Sequence, residues 1–100
     1  MPALTTEVRH LLGQEQALEK LKVFLDGVQQ RYQGQVDNLR GEWIENCLHY
    51  SFAVLGLQVQ GKLIVLQELA RIEAQIPFAA MVFRGRIEQE MRAELARILS

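Results

Sequence analysis

At 100 residues, with 49% apolar and 23% charged side chains, the chain has the balance of an ordinary globular protein. It is large enough to bury a core and too short for two domains, so a single domain over 1–100 is expected. Its formal net charge is −1 and the charges are interspersed, which leaves no basic stripe and argues against a nucleic-acid partner.

Residues 4–9 suit a short edge strand. From 14 to 32 the apolar residues Ala17, Leu18, Leu21, Phe24, Leu25, Val28 and Tyr32 recur in steps of three and four. That spacing is one face of a helix. Gly13 fits the position before it and Gly34 the position after it. Gly27 inside it costs roughly 1 kcal/mol relative to alanine, so tertiary packing must hold the helix.

From about 36 to 76 the period changes to two. Leu48, Tyr50, Phe52 and Val54 alternate with Cys47, His49, Ser51 and Ala53. Leu57, Val59, Leu63 and Val65 alternate with Gln58, Gln60 and Lys62, and Ala70, Ile72, Ala74 and Ile76 with Arg71, Glu73 and Gln75. Half-buried strands joined by short connections form an antiparallel meander. An earlier strand lies near Trp43, with Ile44-Glu45-Asn46 turning the chain; 66–73 is also compatible with a helix. Pro77 suits the first turn of a second helix running to about Leu99. Its main stripe is Ala80, Phe83, Ile87, Met91, Leu95 and Ile98. The expected fold is α+β: an antiparallel sheet meander with two long helices packed on one face.

Chemistry is sparse. Cys47 is the only cysteine and closes no intramolecular disulfide, which fits a reducing compartment. Same-face neighbours on a strand stand about 7 Å apart at a rise of roughly 3.3 Å per residue, too far for Cys47 and His49 to act as a nucleophile pair without help from their rotamers. His10, just before the first helix, suits a structural hydrogen bond. No glycine-rich phosphate loop, metal-ligand cluster or nucleophile elbow is present, so no catalytic residue, metal or cofactor is expected. Trp43, Tyr50, Phe52, Phe78 and Phe83 suit core packing, or the lining of a pocket between sheet and helices. The N-terminus lacks the basic start and apolar core of a signal peptide, and the longest apolar run, 76–83, is far short of a membrane span. A cytoplasmic setting without a transmembrane segment is expected.

One feature exceeds the needs of a core. On a wheel drawn at 100° per residue, Phe78 and Val82 lie opposite the main stripe of the second helix, and Met81 lies a quarter-turn from it. Gly85 extends this second face, and Ala93 and Ala96 continue it. Either the first helix or a loop covers it, or it is a contact surface for another subunit, a partner protein or a lipid-like surface.

The residues His10-Leu11-Leu12-Gly13 followed by Ala17, then Trp43, Phe52, Gly56 and Gly61, lead to a C-terminal run. That run is Ile76-Pro77, Phe83-Arg84-Gly85-Arg86-Ile87-Glu88, Leu95 and Leu99. Together they resemble the small bacterial proteins of the polyhydroxyalkanoic acid system family, sometimes described as granule-region proteins. The resemblance covers about 10–99. It departs from the common pattern at Leu11, where serine is frequent, and in the polar insert Asp37-Asn38-Leu39-Arg40. The resemblance implies an intracellular bacterial protein linked to storage-polyester granules, and it brings no active-site residues with it. The combined expectation is a non-enzymatic accessory or binding protein acting through Phe78, Met81, Val82 and Gly85. Its partner would be a second copy, a polyester granule or a granule protein. The alternative is a carrier of a small apolar ligand held between sheet and helices; a third reading is an enzyme using Cys47 or a histidine.

Overall fold

The computed structural model describes residues 3–31, 34–54 and 56–100. In chain order these form β1 (Ala3–Arg9), α1 (Gln14–Arg31), β2 (Asp37–Ile44), β3 (Cys47–Val54), β4 (Leu57–Val65), β5 (Leu69–Gln75), a 3-10 helix (Phe78–Phe83) and α2 (Arg84–Ile98). Tyr32, the last residue of the stripe expected for the first helix, lies outside the described residues.

The strands pair antiparallel in one sheet of order β1-β5-β4-β3-β2. The meander runs from β2 to β5, and β1 adds to its far edge through pairs such as Leu4 with Ala74 and Val8 with Ala70. Residues 66–73 are therefore turn and strand, not helix. Because β1 and β2 occupy opposite edges, α1 carries the chain across the sheet. At its start the backbone amide of Gln14 donates to Gln67 Oε1 at 3.3 Å, and its side-chain amide donates to the Val65 carbonyl at 2.9 Å. A glutamine from the β4–β5 connection thus does the work usually given to a capping serine or aspartate.

Alternation fixes the two faces of the sheet. Leu4, Thr6 and Val8 are buried while Thr5, Glu7 and Arg9 are exposed. Inner residues of β3, β4 and β5 (Leu48, Leu63, Val65 and Ala70) join Ala17 and Leu21 of α1 and Leu95 and Leu99 at the C-terminal end in one buried cluster. Each fully buried side chain of this size contributes about 1.5–3 kcal/mol. Gly41 in β2 lets α1 approach: a Cβ there would stand 3.2 Å from both Leu25 Cδ2 and Leu48 Cδ1. A second cluster of Leu4, Ala74, Ile76 and Ala80 seats the 3-10 helix.

Two expectations are corrected. The second helical segment is not one long α-helix: six residues of 3-10 helix precede a 15-residue α2. Phe83, expected in the core stripe, is 59% exposed. It forms the junction of the two segments at φ −101°, ψ 13°. A 3-10 turn takes three residues where an α-turn takes 3.6, so one wheel drawn through both misplaces side chains at the join. The rest of the stripe faces inward, with Ala80 and Leu95 buried and Ile87, Met91 and Ile98 half-buried.

Candidate functional site

The 3-10 helix begins after Pro77, whose extended backbone (φ −65°, ψ 155°) starts the turn without a side-chain cap. Its side chains then divide. Ala80 is buried, and Met81 packs half-buried against the second cluster. Phe78 and Val82 are 81% and 80% exposed, so neither α1 nor a loop covers them. With Phe83 they put three large apolar residues in solvent within six positions. Gly85 is also exposed, and a Cβ there would meet nothing within 4 Å. Of the four residues singled out by sequence, Phe78, Val82 and Gly85 share this exposed end. Met81 does not; it is mainly a packing residue. Phe83, assigned to the core, belongs with the exposed set. Arg84 and Arg86 follow directly and are exposed, and Arg86 Nε contacts Glu90 Oε1 at 3.3 Å.

A second feature lies where α1 and α2 diverge over the inner face of the sheet. A cleft of about 360 Å³ opens there. Phe24 and Val28 form one wall, Met91 and Ile98 the other, and Tyr50, Phe52 and Ile72 the floor. The rings of Tyr50 and Phe52 stack with centroids 6.0 Å apart and planes 20° apart. The Tyr50 hydroxyl is already committed, donating to the Glu73 carbonyl at 2.7 Å. Burial first, then the nearby charge of Glu73, pushes the phenol far above its ordinary pKa, so it stays protonated. Among the described residues, Glu90 and Glu94 are the ionisable groups at the cleft besides that phenol; each is ion-paired to an arginine of its own helix, Arg86 and Arg97.

The remaining chemistry is dispersed. Cys47 Sγ and His49 Nε2 are 3.6 Å apart, the approach that strand spacing left to their rotamers. Their rotamers lean together on the polar face of the sheet, opposite the cleft. No carboxylate is ion-paired to His49 among the described residues; its cross-strand partner on β2 is Glu42. His10 is buried; Nε2 meets the Leu66 carbonyl at 3.1 Å and Nδ1 accepts from the Leu12 amide at 3.3 Å. The carbonyl needs a donor and the amide an acceptor, which defines the Nε2–H tautomer of a neutral ring. Among the described residues no group of three or more His, Cys, Asp or Glu is placed to hold a metal, and no helix is long and apolar enough to cross a membrane.

Residues 4–99 match the family model described as "putative polyhydroxyalkanoic acid system protein". The chain belongs to this family. No curated protein matches it. The matched stretch of the polyhydroxyalkanoic acid system family takes in the 3-10 helix, both α-helices and nearly the whole sheet. The exposed apolar end and the cleft are therefore both inside the family's own domain. Sequence reasoning found the first through its surplus of apolar residues. For the cleft it named Tyr50 and Phe52, which line it, together with Trp43, Phe78 and Phe83, which do not; Phe24, Val28, Met91 and Ile98 were missed, because each reads separately as core.

Proposed function

We propose that this protein is a non-enzymatic accessory component of polyhydroxyalkanoate storage systems, attaching to polyester granules through the exposed end of its C-terminal helical arm. The observation that carries this reading is the exposure of Phe78, Val82 and Phe83 within one 3-10 segment. An aliphatic polyester offers apolar chain together with ester carbonyls, which accept hydrogen bonds and donate none. Phe78, Val82 and Phe83 supply the apolar complement, and the guanidinium of Arg84 supplies donors beside them.

The direct test is sedimentation of the purified protein with washed poly(3-hydroxybutyrate) particles, for the natural chain and for Phe78→Ser/Val82→Ser. Binding of the natural chain and loss of binding in a variant that still melts cooperatively support the reading. Failure of the natural chain to sediment with the particles overturns it. Light scattering on the same samples reports self-association, the competing use of the same surface.

A second reading, carriage of a small apolar ligand, is favoured by the cleft between α1, α2 and the sheet. Its volume lies at the lower end of the range of about 300–1,000 Å³ common for small-molecule sites.

A further inference from the structure

We infer that the cleft takes a single uncharged aliphatic chain of about ten carbons, such as a medium-chain alcohol or ester, and discriminates against the corresponding carboxylate. The inference rests on the carrier reading and specifies its ligand class.

The size follows from the volume. At about 30 Å³ for each water-sized group, the 360 Å³ of the cleft holds roughly a dozen such groups, enough for a chain of about ten carbons and too little for a bulky polycyclic ligand. The apolar character follows from the lining. Phe24, Val28, Phe52, Ile72, Met91 and Ile98 are all half-buried, so large side chains of both helices and the sheet stop short of one another around a shared space. Interiors normally close such gaps by interdigitation. Here the buried cluster closes on one side through Leu21, Leu48, Leu63 and Leu95, which also line the cleft, and leaves the other side open.

The charge preference follows from the few polar groups. The Tyr50 hydroxyl is spent on a backbone carbonyl and has no second proton to give a carboxylate. No lysine or arginine lines the cleft among the described residues, whereas the Glu90 and Glu94 carboxylates do. The cations shown beside the lining are not part of the wall: Arg86 and Arg97 are held by Glu90 and Glu94, and Arg31 lies over the Phe24 ring at 5.0 Å. An anionic head group entering here meets two carboxylates already compensated by their own arginines, in an apolar surround that disfavours a further charge. An alcohol or ester carries no such penalty.

The test uses the full chain and the small neutral fluorophore 1-naphthylamine, with 1-decanol and decanoate at pH 8 as competitors of equal chain length. We expect saturable binding of one fluorophore per chain, and displacement by 1-decanol at a concentration at least about tenfold lower than by decanoate. Val28→Trp, which fills the cleft from the α1 wall, is expected to weaken fluorophore binding at least about tenfold. Phe78→Ser, on the granule-facing surface, is expected to leave it unchanged. Should Val28→Trp fail to fold, the melting temperature of the natural chain decides instead: 1-decanol raises it and decanoate does not. Decanoate competing as well as 1-decanol would overturn the ligand class while leaving carriage standing. No saturable binding, or full binding by a natively melting Val28→Trp chain, would overturn carriage itself.

Discussion

Replacing Phe78 and Val82 together by serine separates a contact surface from a packing surface. Both side chains are about four-fifths exposed in the free protein, so little native burial is lost, and exposed substitutions of this kind stay within about 0.5 kcal/mol each. On an apolar support the same residues become buried. At about 1.5–3 kcal/mol for a fully buried side chain, four-fifths of two side chains is worth roughly 2.5–5 kcal/mol. Ordering at the surface offsets part of this. Taking the low end at about 1.4 kcal/mol per factor of ten, the double variant should bind polyester particles up to roughly sixtyfold more weakly while its thermal midpoint moves by no more than a few degrees. Sedimentation isotherms and circular-dichroism melts on the same preparations measure both. A loss of less than about threefold with a native melt would refute the surface, and collapse of the cooperative melt would show that these residues hold the fold. Met81→Ala is the matched contrast. Its side chain packs against Leu4, Ala74, Ile76 and Ala80, so it should lower the midpoint and leave binding by the folded fraction nearly intact.

Three other changes probe the frame that carries the two surfaces. Gly61→Ala should destabilise the sheet by several kcal/mol in urea unfolding, on the order of other severe steric changes, because its Cβ would collide with the Glu73 carbonyl oxygen and stand 2.8 Å from the Tyr50 hydroxyl; a change under about 0.5 kcal/mol would refute the close approach. His10→Ala removes the donor at the Leu66 carbonyl and the acceptor at the Leu12 amide, and should cost about 1–3 kcal/mol, whereas a neutral result would mean that water replaces both contacts. Tyr50 ionises with difficulty in the folded chain, with the unfolded phenol near the ordinary tyrosine value of 10.0, so above that pH the unfolded state binds fewer protons than the folded one. Stability supplied by the protonated phenol is full below about pH 10 and falls by up to about 1.4 kcal/mol per unit as pH rises further. Tyr50→Phe should lose that part of the alkaline slope in urea melts between pH 9 and 11, and an unchanged slope would contradict the assignment.

What was legible in the sequence follows from how strongly one face of each element is buried. β3 to β5 keep inner apolar residues at nearly every second position, so period two found them with the correct face inward; β1, where Thr6 stands between Leu4 and Val8, was read as a strand without its face. β2 was seen only near Trp43. It is an edge strand, exposed at most positions, and its register shifts between Asp37 and Arg40 where Asn38 takes φ 54°. A bulge of this kind inserts a residue and breaks the alternation that a reader follows. The polar insert that set the chain apart from the common family pattern is this bulge. The 3-10 segment was illegible for a different reason: over six residues a period of three cannot be told from 3.6, and the error accumulates into the misplacement of Met81 and Phe83. The approach of Cys47 to His49 depends on rotamers, which periodicity does not encode. The cleft depends on how far α1 and α2 diverge, a property of packing between residues as remote as Phe24 and Ile98.

The exposed end of the helical arm also bears on which partner it meets. Ala80 and Met81 already fill the seat offered by Leu4, Ala74 and Ile76, so the core closes without Phe78, Val82 or Phe83. Polar residues at those three positions would be compatible with the same backbone and would remove an association hazard. Folding therefore does not account for them. A second copy using the same patch would meet it across a two-fold axis, each surface facing itself. The patch is followed by Arg84 and Arg86, with no acidic residue between Phe78 and Ile87. Arg86 is held by Glu90, but a symmetric contact centred near this end would bring the Arg84 guanidinium toward its copy, and that repulsion opposes the apolar gain. A polyester surface imposes no such repulsion, since its carbonyls accept the hydrogen bonds that Arg84 can donate. The combination of apolar side chains and the Arg84 donors thus favours a neutral, acceptor-rich support over a second copy of the chain.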